Sequence, residues 1–185
     1  MARTRSFDED AALAAIGDVF WRKGYEGASY ADLMAASGLG KGSLYAAWGD
    51  KAALYRAALK RYVAGEMALL ADLLKPDPPA DALAALLDYP IEAVAAGDDR
   101  RGCFLCNAAV DMARADGDVR LIVEEAFAMA VAAIEQIAVS AGAKGAGAHL
   151  FSVFLGLRVM ARSGAPVASM RAARDHALRG LALNS

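Results

Sequence analysis

Lys41, Gly42, Ser43, Tyr45, Trp48 and Lys51 fall within the single run K-G-S-L-Y-A-A-W-G-D-K. Together they offer two ammonium groups, two hydroxyls and an indole N–H. That set suits recognition of an anion or of polar edges rather than bond making. Gly42 has no side chain, so whatever the backbone meets there can come close. Lys51 follows Asp50 at an expected helix start, where its charge and the free backbone N–H groups together favour phosphate. Ser29, twelve residues before Lys41, has the type and position of a helix N-cap, with Asp32 three residues on as an incomplete capping box.

Other tempting groups lead less far. Cys103 and Cys106 are three apart, so on a helix they share one face. They can be small buried hydrophobes, a thiol sensor of oxidants or electrophiles, or part of a metal sensor. Only His149 and His176 could add imidazole, and the paired spacings of a closed zinc site are missing, so no metal and no cofactor are expected. Gly38-Leu-Gly-Lys-Gly-Ser43 resembles a phosphate loop only superficially: Ala35 stands where the first Gly is required, and Gly42 separates Lys41 from Ser43. The sequence contains no H-E-x-x-H or G-x-S-x-G motif, so no catalytic residue is named and an enzyme is not expected.

The elements that must hold the 41–51 run are helical. Ser29 to Ser37 reads as a short capped helix with Leu33 and Met34 on its apolar side. Gly38 suits a left-handed turn. A two-turn helix from Lys41 to Trp48 follows, and Gly49-Asp50 breaks the chain again. Two helices across a Gly-containing turn form a helix-turn-helix pattern, and the second is short enough to lie in a DNA major groove. Before it, Ser6 and Glu9 suggest a capping box, Leu13, Ile16, Val19 and Phe20 form one stripe, and Gly24 reads as the helix end with Tyr25 folding back as an anchor. After it, a long helix runs from Lys51 towards Leu74, ended by Pro76-Asp77-Pro78-Pro79.

The remainder reads as helices over 81–96, 103–113, 119–141, 149–162 and 167–183, with Pro90 set to kink or divide the first of these. Asp116-Gly117-Asp118 is a turn with a built-in cap. The last two helices carry apolar faces: Leu150, Phe151, Phe154, Leu157 and Met160 on one, Met170, Ala173, Ala177, Leu178 and Leu181 on the other. Leu86, Leu87, Phe104, Met112, Phe127 and Met129 are candidates to line a small-molecule pocket, although an ordinary core needs the same residue types.

Composition agrees with this reading. The 185 residues are 57% hydrophobic, dominated by Ala and Leu with only five Pro, which favours an all-α fold. The net charge of −2 is uneven: residues 1–62 hold nine Lys/Arg and seven Asp/Glu, a net +2 that leaves −4 for the rest. A mildly basic N-terminal part on an acidic body fits an anionic partner held at one end. No segment has the length and apolarity of a membrane span, the first residues lack an apolar signal core, and two cysteines are too few for a disulfide framework. A cytoplasmic protein without a membrane partner is expected.

The spaced positions F-x-x-K-G-Y (20–25), the Ser-capped helix, S-G-L (37–39), K-G-S-L-Y (41–45), the aromatic Trp48 and D-K-x-x-L (50–54) closely resemble the DNA-binding domain of tetracycline-repressor-like (TetR/AcrR) transcriptional regulators. The resemblance spans about residues 6–66. The run R-R-G-C-F-L-C-N-A-A-V-D-M-A (100–113) also looks like the start of a central helix in one branch of that family, and the last two helices resemble its dimerisation pair. Two positions depart from the usual pattern: Trp48 stands where Phe is common, and Ala28 where Thr is frequent.

The resemblance implies an N-terminal three-helix DNA-binding domain over 6–66 and a C-terminal effector-binding and dimerisation domain over 80–185. It implies a ligand-responsive repressor that binds a palindromic double-stranded operator as a homodimer. Ser29, Lys41, Gly42, Ser43, Tyr45, Trp48 and Lys51 would then meet DNA, and Leu150, Phe151, Phe154, Leu157, Met170, Ala177, Leu178 and Leu181 would meet a second copy. The alternative is a helical small-molecule-binding or thiol-sensing protein whose DNA-binding domain is vestigial.

Overall fold

A computed structural model describes residues 7–97 and 102–181. Among them the chain forms nine helices and no strand: α1 (Glu9–Gly27), α2 (Tyr30–Ser37), α3 (Lys41–Trp48), α4 (Lys51–Leu73), α5 (Pro79–Ala95), α6 (Phe104–Asp111), α7 (Gly117–Ser140), α8 (Gly147–Ser163) and α9 (Val167–Arg179). The expected all-α architecture is present. Two compact units result, one from residues 1–64 with 104–123, the other from 65–103 with 124–185.

The first unit is built on α1. Its N-cap is Asp8, whose carboxylate accepts from the N–H groups of Asp10 and Ala11, so the cap falls two residues after Ser6, which lies outside the described residues. The first helical run breaks at Gly24, as expected. Gly24 adopts φ 70°, ψ 175°, a conformation open to Gly, and one further turn runs on to Gly27. That break lets Tyr25 fold back, stacking on Phe20 at 6.4 Å and meeting Tyr55 of α4 edge-on at 5.4 Å.

Ile16, Val19 and Phe20 are buried, as are Leu54, Tyr55, Ala58 and Leu59 of α4, and Phe20 meets Tyr55 edge-on at 5.0 Å. Phe104 of α6 joins them, with Tyr55 at 5.4 Å, Tyr62 at 5.6 Å and Trp21 at 6.5 Å. The two tyrosines meet Phe104 edge-on and Trp21 stacks on it, which adds directional attraction to the area these rings bury. Polar links frame the same unit. Arg61 on α4 grips Asp10 with two hydrogen bonds of 2.8 and 2.7 Å. Asp116 caps α7 through the N–H groups of Asp118 and Val119 while accepting from Arg56 at 2.6 Å. The built-in cap read from Asp116-Gly117-Asp118 is therefore formed.

The second unit packs α5 against both α8 and α9. Its core holds Leu83, Leu86, Leu87 and Ile91 from α5, Ile134 and Ala138 from α7, Leu150, Phe154 and Leu157 from α8, and Met170 and Ala177 from α9. Pro90 does not divide α5: the helix is continuous through it, and Pro90 itself is buried. Apolar packing of Leu86, Leu87, Ile91 and Val94 on both sides of Pro90 holds the two halves together despite the missing donor. Arg158 is 8% exposed, with its guanidinium bonded to Glu66 and, at 3.4 Å, to the Gly102 carbonyl. A buried cation needs such partners.

Candidate nucleic-acid interface

The interface candidates sit on α2, α3 and the start of α4, and each element is held by local chemistry. Ser29 caps α2: its hydroxyl accepts from the Asp32 N–H at 3.2 Å, and the Asp32 carboxylate accepts from the Ser29 N–H at 3.0 Å and from its hydroxyl at 2.7 Å. The capping box is thus complete with Asp in the place of Glu. Lys23 of α1 donates to the other Asp32 oxygen at 2.7 Å and so ties α1 to α2. The Lys23 bond first, and then the Ser29 bonds, hold the Asp32 carboxyl down at about 2.

Gly38 takes the left-handed conformation (φ 68°) and its N–H donates to the Met34 carbonyl, ending α2 as the sequence implied. Ser37 closes the turn by donating to the Leu33 carbonyl and accepting from the Leu39 N–H. Leu33 and Leu44 are buried and anchor the two short helices, while Leu39 is half-buried.

The N-terminus of α3 faces outward. Its N-cap, Gly40, provides no side-chain acceptor, and Lys41, Gly42 and Ser43 are all exposed. A Cβ added at Gly42 would meet no atom of the chain within 4 Å. Gly inside a helix is less stable than Ala by roughly 0.5–1 kcal/mol, so its retention is not explained by packing within this chain. Uncapped helix N–H groups beside a lysine form a natural site for anionic oxygens.

Tyr45 is 42% exposed on the same helix. Trp48, at its end, is half-buried and lies 5.8 Å from the Phe7 ring, so its indole packs the helix onto Phe7. Asp50 caps α4 by accepting from the Ala53 N–H at 2.8 Å. Lys51, the first residue of α4, is half-buried with its ammonium 4.6 Å above the Tyr25 ring.

One participant is absent from the sequence-based set. Tyr30, the first residue of α2, stacks on Tyr45 with ring centroids 5.4 Å apart, and the Lys41 ammonium lies 4.9 Å from the Tyr30 centroid and 5.7 Å from that of Tyr45. The signal available in the sequence was the aromatic following the cap, which by itself reads as a surface residue.

The other candidate groups are distributed differently. Leu86 and Leu87 are fully buried in the core of the second unit, and Phe127 packs against that core with its ring 5.3 Å from Phe151. Phe104 and Met112 are buried in the first unit, Phe104 within the aromatic cluster. Met129, also named for the pocket, is 56% exposed. Cys103 is buried one residue before α6, and Cys106 is half-buried on it; neither is in a disulfide. The helix that would have put them on one face starts too late to include Cys103. Among the described residues no three His, Cys, Asp or Glu side chains are grouped to hold a metal ion.

Leu150, Phe151, Phe154, Leu157, Met170 and Ala177 are buried within the chain itself, and Leu178 and Leu181 pack against the same core. The open side of the α8–α9 pair is an almost wholly apolar groove of about 400 Å³, lined by His149, Val153, Gly156, Leu157 and Met160 of α8 and by Ala173, His176 and Ala177 of α9, so it shares Leu157 and Ala177 with the expected set. No helix among the described residues is long and apolar enough to cross a membrane.

Comparisons with known proteins agree with this geometry. A family profile described as "Bacterial regulatory proteins, tetR family" matches residues 12–58. The HTH-type transcriptional repressor ComR of Escherichia coli (strain K12) is 33% identical over 148 residues, 77% of this chain and 69% of ComR. BdcR, an HTH-type transcriptional repressor of the same organism, is 35% identical over 104 residues, 56% of this chain and 52% of BdcR. A cysteine-substituted form of the TetR family regulator CifR, solved with 26-bp double-strand operator DNA, superposes with a TM-score of 0.81 at 30% identity, covering 96% of this chain and 99% of that one. From the profile across the helix-turn-helix and the relatives matched well beyond it, the protein belongs to the tetR family of bacterial regulatory proteins.

Proposed function

We propose that this tetR-family transcriptional regulator is a repressor that binds a palindromic double-stranded operator as a homodimer and is released by a small-molecule effector. The observation that carries the reading is the outward N-terminus of α3, where exposed Lys41 and Ser43 flank a Gly42 that no neighbour in the chain requires. Lys41 and Ser43 are placed to meet base edges and phosphates, with Tyr45 and Lys51 positioning the helix on the backbone. Ser29 acts through its cap, because its hydroxyl is already engaged with Asp32. Trp48 supports α3 by packing on Phe7. ComR and BdcR, both repressors by name, and the operator complex of CifR support the same assignment.

The DNA-binding domain corresponds to residues 6–66, and the effector and dimerisation functions to 80–185. The second copy docks on the open α8–α9 stripe, where Gly156 and Ala173 let helices approach closely and Val153 and Met160 supply apolar contact. An apolar or aromatic effector suits the surroundings of Leu86, Leu87 and Phe127. The protein acts in the cytoplasm, where its DNA lies.

Fluorescence anisotropy with duplexes selected from a random pool tests the central claim. Binding is expected to be sequence-selective and to weaken steeply with salt, and Lys41→Ala and Lys51→Ala are each expected to flatten the slope of log K against log salt by about one. Selection that enriches no sequence, or binding indifferent to salt, removes the assignment.

A further inference from the structure

Three of the residues assigned to DNA converge on one that was not. Tyr30 opens α2 next to the Ser29 cap and is half-buried. Its ring lies nearly parallel to that of Tyr45 on α3, at 26° and 5.4 Å, and both rings face the Lys41 ammonium. Its hydroxyl is acted on by the Tyr45 side chain, which raises its proton affinity, and by the backbone N–H of Lys51, the first residue of α4, which lowers it. Tyr30 therefore meets the lysine at the head of α3 and the exposed tyrosine one turn later.

Resting on the DNA-binding assignment above, we propose that Tyr30 is the positioning residue of the DNA-reading end, holding Lys41 and Tyr45 in the geometry that discriminates between sequences. The physical need is clear from α3 itself. It has eight residues, and its one buried side chain is Leu44. A helix this short has little stability of its own, so its orientation depends on what it touches. Lys41 and Tyr45 are exposed side chains that would otherwise sample many rotamers and would have to be ordered each time DNA arrives. A ring face beneath the ammonium confines it without quenching its charge, because the attraction comes from the ring quadrupole.

The Tyr30 hydroxyl stays protonated under all ordinary conditions. Burial, followed by the bond to Tyr45, pushes it up to about 12 against the opposing effect of the Lys51 N–H. It is thus a fixed neutral bridge rather than a titrating switch.

The test compares wild type, Tyr30→Phe and Tyr30→Leu for affinity to a duplex that the wild type selects from a random pool and to a scrambled duplex of equal length. The ratio of the two affinities is the readout, because partial unfolding lowers both alike and leaves the ratio unmoved. Removing the ring in Tyr30→Leu is expected to lower the ratio about tenfold, the scale of one lost base contact. Removing only the hydroxyl in Tyr30→Phe, which keeps the ring face, is expected to lower it about threefold.

A fall in the ratio for either variant supports the proposal, and Tyr30→Phe decides alone if circular dichroism shows Tyr30→Leu to be unfolded. An unchanged ratio, or parallel weakening on both duplexes, overturns it while leaving the DNA-binding assignment intact. Wild-type protein that binds neither duplex overturns both.

Discussion

Gly42 separates stability from function at a single position. Its Cβ would point into open space, so Gly42→Ala is expected to stabilise the folded protein by roughly 0.5–1 kcal/mol, as at other unstrained helix interiors. The same methyl group would stand between the helix backbone and DNA, so affinity for a selected duplex should fall about tenfold or more. Denaturant melts beside anisotropy titrations read the two effects, and a variant improved in both would refute the close approach. Asp32 makes a complementary case through pH. Its carboxyl is held at about 2 in the folded protein against 3.8 ordinarily, first by Lys23 and then by Ser29. A depressed folded value means the contribution is full above 3.8 and disappears as pH falls from there towards 2. Asp32→Asn should therefore be less stable than wild type at neutral pH, with the difference shrinking across that acid window; a constant difference in melting temperature would show that the charge is not responsible.

Among the helices, α8 has the most demanding start. Its N-cap residue, Ala146, has no side-chain acceptor. The work is done from α7, where the two Glu135 oxygens accept from the Gly145 and Gly147 N–H groups at 2.7 Å each. Those bonds, led by the one from Gly145, hold the Glu135 carboxyl below its usual range. The fit leaves no room: a Cβ at Gly147 would lie 2.7 Å from the Glu135 Cβ and 2.9 Å from the Val131 carbonyl oxygen. Gly147→Ala is expected to destabilise the protein by about 1–3 kcal/mol through that overlap, read from urea denaturation. Gly42→Ala and Gly147→Ala make the same chemical change in the first turn of a helix, and the expected signs differ because one methyl meets solvent and the other meets backbone. The Gly142–Gly147 stretch reads as a flexible break in the sequence because the acceptor that orders it lies ten residues earlier.

For the molecule as a whole, the two sides of the α8–α9 pair have different jobs. Leu150 is fully buried against α5, so Leu150→Ala should lower stability by about 2–5 kcal/mol whatever the oligomeric state. Val153 lines the open groove and is half-buried at the edge of the same core, so Val153→Glu should cost the isolated fold less stability than Leu150→Ala while splitting the dimer. Sedimentation velocity separates the two, and loss of the dimer should bring loss of binding to a palindromic site but retention of weak half-site binding. A Val153→Glu protein that remains dimeric would move the seam off this stripe.

The chain alone made the helix-turn-helix legible, because its determinants are local: the Ser29 cap with Asp32, the left-handed Gly38, the Gly40 and Asp50 starts and the buried Leu33 and Leu44 are all set by neighbours within a few residues. Helix identity along the rest was legible for the same reason, from 3.6-residue periodicity. What covers an apolar face is not local. Leu150, Phe154 and Met170 read as surface awaiting a partner until α5 is seen to lie on them, and Phe104 reads as pocket lining until Tyr55, Tyr62 and Trp21 surround it. Tyr30 belongs to this second class: its neighbours Tyr45 and Lys51 lie fifteen or more positions ahead, and only the folded turn brings them to its ring and hydroxyl. Periodicity specifies which side of a helix avoids water, and tertiary packing decides which atoms replace that water.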